Sequence, residues 1–99
     1  MLDLAIATGF DRDAGNERKN SIKHGVGQGE AEQVFFNEPL LLLEDMKHGV
    51  TELGYHALGL TNDGRLLHIT FTLRQKGALI RVISARDMSA SERQFYESA

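Results

Sequence analysis

Cysteine is absent from the 99 residues of this chain. Its absence excludes disulfide staples, thiolate metal sites and a cysteine nucleophile, so core packing alone must hold the fold. Proline occurs once, which together with 41% hydrophobic and 25% charged residues excludes a low-complexity chain and fits an ordinary soluble globular one. Apolar runs are short. None exceeds the four residues of Leu40 to Leu43, far below the roughly 18 that a membrane span requires. Met1 to Gly9 lacks the positive region of a signal peptide and carries Asp3, which makes a cytoplasmic location the expectation. No internal repeat or linker divides the sequence. A chain this short buries about 65% of its unfolded surface, enough for one small core, and residues 1–99 are expected to form a single domain.

Charge is scarce in net but unevenly placed. The formal net charge is -3, yet residues 1–60 hold five Lys/Arg against ten Asp/Glu, whereas residues 61–99 hold six against four. The C-terminal part is basic. Arg65, Arg74, Arg81 and Arg86 all fall in or beside expected strands, an arrangement that gives a positive face to an acidic protein.

The periodicity predicts an α+β fold. Asp13 is an N-cap for a helix running to about His24, with Gly25 as its stop. The helix is mostly polar, with Ile22 its strongest apolar residue, and is expected to lie on the surface with one thin contact stripe. A second helix, about Gln28 to Phe36, places Ala31, Val34 and Phe35 on one face, and Pro39 closes the segment. Leu40 to Leu43 suits a short strand covered on both sides. Asn62-Asp63-Gly64 separates strands at 54–61 and 65–73 and is a strong hairpin signal. Leu67, Ile69, Phe71 and Leu73 alternate with His68, Thr70 and Thr72, one face buried and one polar. A turn at 75–77 leads to a strand from Leu79 to about Ala85. Setting Leu67, Ile69 and Phe71 against Ile80, Val82 and Ser84 keeps apolar residues together and puts Arg81 beside His68, Thr70 and Thr72. Ser89 with Glu92 forms a capping box that opens a last helix. The expected architecture is an antiparallel meander with two N-terminal helices and one C-terminal helix.

Lys19, Lys23 and His24 form the densest cationic cluster. On a helix Lys19 and Lys23 share a face, so both can meet one anion. His24 at the helix C-terminus faces the negative end of the macrodipole, which favours imidazolium. Two ammonium groups and a protonated histidine suit a phosphate, as charge stabilisers and general acid. His24, His48, His56 and His68 form no short ligand pair, although His56 and His68 share a hairpin face under one register, and no metal site is expected. The glycines at 25, 27 and 29 lack the Lys-Ser/Thr of a phosphate loop, and no nucleophile elbow is present.

At Asp13, Gly15-Asn16, Lys19-Asn20 and Lys23-His24-Gly25-Val26 the sequence resembles the start of the BrnT toxins of bacterial BrnT/BrnA toxin-antitoxin pairs. The resemblance continues through Glu30-Ala31, Val34-Phe35, Pro39, Ala57-Leu58-Gly59, Asp63-Gly64-Arg65 and Phe71-Thr72. It ends with residues 80–88 and Glu92-Arg93, so that it spans about residues 10–97 and leaves residues 1–9 outside. It implies a RelE-like fold and a metal-independent endoribonuclease that cleaves messenger RNA without a cofactor. It also implies a BrnA-like ribbon-helix-helix antitoxin as partner, in a 2:2 heterotetramer that meets operator DNA only through the antitoxin, with no membrane association. Cleavage would use the RNA 2′-hydroxyl as internal nucleophile, with a base for its proton, cations on the phosphorane and an acid for the leaving oxygen. On this reading Lys19, Lys23 and His24 serve phosphate stabilisation and proton transfer, and Arg86 and Arg81 hold phosphate by bidentate contacts. Arg74 and Arg65 bind the RNA backbone, Glu52 is a candidate base, and Thr70 and Thr72 line the site.

Two positions depart from the family's pattern. Arg12 stands where a tryptophan is usual, replacing an aromatic surface with a charge. Gly54 stands where an arginine is common, removing a cation. Loss of a phosphate-binding arginine lowers activity by roughly two orders of magnitude, taking ~2.7 kcal/mol for one electrostatic donor. The alternative reading is therefore a catalytically weakened toxin-like module that binds its antitoxin and takes part in operon autoregulation.

Overall fold

A computed structural model of the chain describes Leu4, residues 7–43 and residues 54–99. Strand β1 (Gly9–Phe10) precedes helix α1 (Ala14–His24) and helix α2 (Gln28–Gln33), whose end tightens into a 3-10 turn at Val34–Phe36. Strands β2 (Leu41–Leu43), β3 (Tyr55–Leu60), β4 (Leu66–Arg74) and β5 (Leu79–Asp87) follow, and helix α3 (Ala90–Glu97) ends the chain. The sheet order is β1-β5-β4-β3-β2. The α+β architecture and the antiparallel run from β2 to β5 are as the sequence predicts. One addition is β1, which pairs parallel to the start of β5; two residues are too short to leave a periodic signal.

Local chemistry explains the element boundaries. The Asp13 carboxylate accepts the Asn16 backbone N–H at 2.9 Å, and Gly25 takes φ 67°, ending α1 where no side chain is welcome. The β3–β4 turn closes with Gly64 at φ 84°, and the β4–β5 turn places Gln75, Lys76 and Gly77 in the left-handed region. Ser89 and Glu92 form the reciprocal capping box at the start of α3.

The β4–β5 register differs from the one expected. Phe71 pairs with Val82, Ile69 with Ala85 and Leu67 with Asp87, and a bulge at Ile83 interrupts the ladder between Thr70 and Phe71. The turn is tight, with Arg74 already opposite Leu79, which slides the pairing toward the C-terminus of β5. The extra residue at the bulge resets the alternation, so Ile80, Val82 and Ala85 all face one core. In consequence Arg86, rather than Arg81, lies opposite His68, and Ser84 lies opposite Thr70.

Both faces of the sheet are packed. On one, Ala31 and Val34 meet Ala57, Leu67, Ile69, Phe71, Ile80, Val82 and Ala85, with Phe35 edge-on to Phe71. On the other, Tyr96 and Met88 meet Leu58, with Leu41, Leu43, Leu60 and Leu66 around them. The leucines of 40–43 divide between these two cores, as a strand covered on both sides should. Helix α1 lies on the surface as expected, but Ile22 is 80% exposed, and the thin contact is made by two asparagines one turn apart. Asn16 donates to the carbonyls of Val82 (3.2 Å) and Ile83 (2.9 Å), and Asn20 accepts the Ala85 N–H at 2.9 Å. Because β1 reaches only to the partner of Ile80, the β5 edge beyond it needs side-chain partners, and these asparagines supply them.

Candidate functional site

Helix α3 packs on the Leu58 side of the sheet. Alternation puts His56 and Leu58 of β3, His68 and Thr70 of β4, and Ser84 and Arg86 of β5 on that same side. A continuous polar chain results. Thr70 Oγ1 lies 3.1 Å from His56 Nδ1, which lies 3.1 Å from His68 Nε2; His68 Nδ1 lies 2.8 Å from Glu92 Oε2. Arg86 donates to both oxygens of Glu92, at 2.8 and 3.0 Å, and its Nη2 is 3.1 Å from His68 Nδ1. Glu92 also accepts the Ser89 N–H at 2.9 Å. The capping box that starts α3 therefore also aims the carboxylate at the sheet.

Electrostatics follow from these contacts. The Arg86 guanidinium, with help from the Ser89 N–H and His68, holds the Glu92 carboxyl down to about 2. Burial pushes the His68 imidazole below its ordinary value, against the opposing pull of Glu92. Glu92 raises Arg86, which stays charged throughout.

Beside this chain lies a groove lined by Asn16, Lys19, Asn20, Lys23, His24, Ile83 and Ser84. The structure thus brings Lys19, Lys23 and His24 together, with both lysines exposed and His24 half-buried. Arg86 is not part of that lining. It occupies the polar face two residues along β5 from Ser84, so Ser84 is where the groove and the polar face meet.

Arg65, Arg74 and Arg81 have carboxylate partners. Arg81 Nε is 3.4 Å and Arg74 Nε 3.7 Å from the same Asp11 oxygen, and Arg81 also approaches Asp13 at 3.9 Å. Arg65 grips Asp87 through Nε and Nη2 while its Nη1 reaches Glu30 and the Gly25 carbonyl. Thr72 is half-buried opposite Arg81. Glu52 and His48 lie outside the described residues. Among the described residues no group of three His, Asp or Glu side chains is arranged to hold a metal ion.

Both departures from the family's pattern have a structural account. Arg12 makes a bidentate pair with Glu32, at 2.9 and 2.6 Å, and Gln28 adds a third bond to the same carboxylate. Gly54 has φ 118°, and a Cβ there would stand 2.3 Å from the Phe71 carbonyl oxygen. This backbone accepts only glycine.

Sequence reasoning missed His56, His68 and Glu92 as a functional unit. The two histidines were legible as a shared hairpin face, and Glu92 as a cap; their meeting depends on the β4–β5 register and on where α3 docks.

The profile of the family described as "Ribonuclease toxin, BrnT, of type II toxin-antitoxin system" matches residues 13–92 of this chain. That span opens at the cap of α1 and closes at Glu92. The architecture is similar to the crystal structure of the Brucella abortus ribonuclease toxin, BrnT, with a TM-score of 0.63 at 18% identity, over 84% of this chain and 99% of that one. At such identity the likeness concerns the fold. No curated protein sequence matches this chain.

Proposed function

The chain belongs to the family of BrnT ribonuclease toxins of type II toxin-antitoxin systems, and from that premise we propose that it is a metal-independent endoribonuclease acting on messenger RNA. The observation that carries this reading is the meeting at Ser84 of the Lys19, Lys23 and His24 groove with the polar face that holds His56, His68 and Arg86. In this reading a phosphodiester at Ser84 meets the ammonium groups of the groove, and the guanidinium and imidazoles are reached along the polar face across β4 and β3.

In the proposed reaction the 2′-hydroxyl attacks the adjacent phosphorus and the 5′-oxygen leaves, giving a 2′,3′-cyclic phosphate. Lys19 and Lys23 stabilise the phosphorane, His24 protonates the leaving oxygen, and Arg86, anchored by Glu92, adds positive field at the phosphate. Arg81 and Arg74 bind flanking phosphates by exchanging Asp11 for the RNA, with Thr72 beside them. Arg65 reaches the RNA backbone in this reading only by releasing Asp87 or Glu30, whose two carboxylates otherwise outweigh its charge. Glu52 is the candidate base carried over from the sequence, and the role is otherwise unassigned.

Membership of a type II system brings an antitoxin partner and an RNA substrate. The proposed partner is a BrnA-like ribbon-helix-helix protein, whose dimeric form suits a 2:2 assembly in the cytoplasm. A second reading, a catalytically weakened module that keeps antitoxin binding and autoregulation, draws support from Gly54, whose backbone has no room for the family's usual arginine. Incubation of the purified protein with single-stranded RNA in EDTA separates the two. Fragmentation supports the nuclease, whereas intact RNA with nanomolar antitoxin binding supports the weakened module.

A further inference from the structure

We propose that His56 is the base of this reaction, its Nε2 removing the proton from the 2′-hydroxyl while His68 and Glu92 act as positioning residues behind it. The inference rests on the ribonuclease reading and names a residue which that reading leaves open.

Elimination along the polar chain singles out His56. Glu92 has its oxygens engaged by four donors: the Ser89 N–H, two Arg86 nitrogens and His68. A carboxylate so saturated and so acidic makes a poor base. His68 has only 12% of its side chain exposed, and both of its nitrogens face protein groups, Nδ1 toward Glu92 and Nε2 toward His56. His56 is half-buried, with Nδ1 held between His68 and Thr70. No described residue hydrogen-bonds its Nε2.

Glu92 and Arg86 Nη2 both meet His68 Nδ1, and the tautomer proposed is the one that suits the shorter contact, to Glu92. Ionised Glu92 can only accept, so His68 donates from Nδ1 and carries a lone pair on Nε2. That lone pair accepts the Nδ1–H of His56, which leaves Nε2 of neutral His56 unprotonated. The groups facing the pair are Thr70 on β4, Arg86 on β5 and Glu92 on α3. A carboxylate orienting an imidazole is a recurring way of stabilising the imidazolium that a base becomes; here a second imidazole extends it.

The step balances. The 2′-O–H bond breaks and its proton goes to His56 Nε2, while the 2′-oxygen bonds phosphorus and the P–O5′ bond breaks. The Nδ1 proton of His56 stays in its hydrogen bond to His68 Nε2, and the ring that Glu92 orients stabilises the His56 imidazolium. The departing 5′-oxygen takes its proton from the His24 imidazolium.

The test is the pH dependence of single-turnover cleavage of single-stranded RNA by the full chain, for wild type, His56→Ala, His56→Gln and His68→Gln, with folding followed by circular dichroism. Both His56 variants are expected to lose about 10²- to 10⁴-fold in rate. His68→Gln is expected to retain part of the rate but to displace the limb of the profile on which activity rises with pH, a change that a packing defect does not produce. Folded His56 variants that cleave near the wild-type rate overturn the proposal and leave the ribonuclease reading standing. Intact RNA with the wild type overturns both. Should neither His56 variant fold, ¹⁵N imidazole spectra of the wild type decide: a neutral His56 protonated on Nδ1 supports the proposal, and one protonated on Nε2 overturns it.

Discussion

His68 Nδ1 and Glu92 Oε2 are 2.8 Å apart, and this one contact joins the central strand of the sheet to the first turn of the last helix. Tyr96 is the one buried apolar side chain of α3, so the polar tie contributes to stability as well as to the site. Glu92→Gln keeps an oxygen for the Ser89 N–H but removes the charge and turns the second acceptor into an amide donor facing Arg86 and His68. It is expected to destabilise by about 1.5–3 kcal/mol, the range for hydrogen bonds to charged groups, measured by urea unfolding at neutral pH.

The same contacts set the acid limb of stability. Glu92 falls from its ordinary 4.5 to about 2 on folding, so its stabilisation is complete above 4.5 and is lost as pH falls toward 2. His68 is also lowered on folding, so the unfolded chain takes up its proton first and stability begins to decline just below the ordinary histidine value. Both slopes have the same sign. Unfolding free energy measured against pH should decrease steadily into acid, and Glu92→Gln should flatten the portion between 4.5 and 2.

Asn20 satisfies the Ala85 N–H and the Val26 carbonyl at once, where the β5 edge lacks a strand neighbour. Asn20→Ala is expected to destabilise by about 1–3 kcal/mol by orphaning two backbone groups, and Asn20→Leu should not recover the loss despite its added apolar surface. Ile22→Ala, on the exposed side of the same helix, should change the unfolding midpoint little.

Gly54→Arg restores the side chain usual in the family and is nonetheless expected to impair this protein. With φ at 118° and the Phe71 carbonyl 2.3 Å from the new Cβ, strain of about 1–3 kcal/mol follows from the backbone alone. Melting temperature and RNA cleavage should both fall. A gain of activity at unchanged stability would show that the backbone here adapts freely.

Arg12→Trp, the other return to the family's pattern, leaves Glu32 with Gln28 as its only side-chain donor among the described residues. Lower thermal stability is expected, with recovery in the double variant Arg12→Trp/Glu32→Leu. A double-mutant cycle read by thermal melting checks the coupling.

Much of this fold is written in local chemistry. Asp13 and Gly25 bracket α1, Asn62-Asp63-Gly64 turns the hairpin, and Ser89 with Glu92 opens α3; each signal is complete within a few residues. What escapes is what depends on distant partners. The bulge at Ile83 carries no glycine to mark it, yet it decides that Arg86 and not Arg81 faces His68. The contact face of α1 is polar because it covers a strand edge rather than a core, which no hydrophobic pattern reveals. In the candidate site, Lys19, Lys23 and His24 were legible because one helix turn gathers them. The chain from Thr70 to Glu92 was not, since three strands and a helix must first come into register.

The most direct test of the ribonuclease account is the chemistry of the cut ends. Synthetic RNA is incubated with the full chain in EDTA, beside the same RNA carrying a 2′-deoxy nucleotide at the cleaved linkage, and products are identified by mass spectrometry. The account expects 2′,3′-cyclic phosphate termini and no cutting at the deoxy linkage. Cutting that persists there, or that needs a divalent metal, would contradict it.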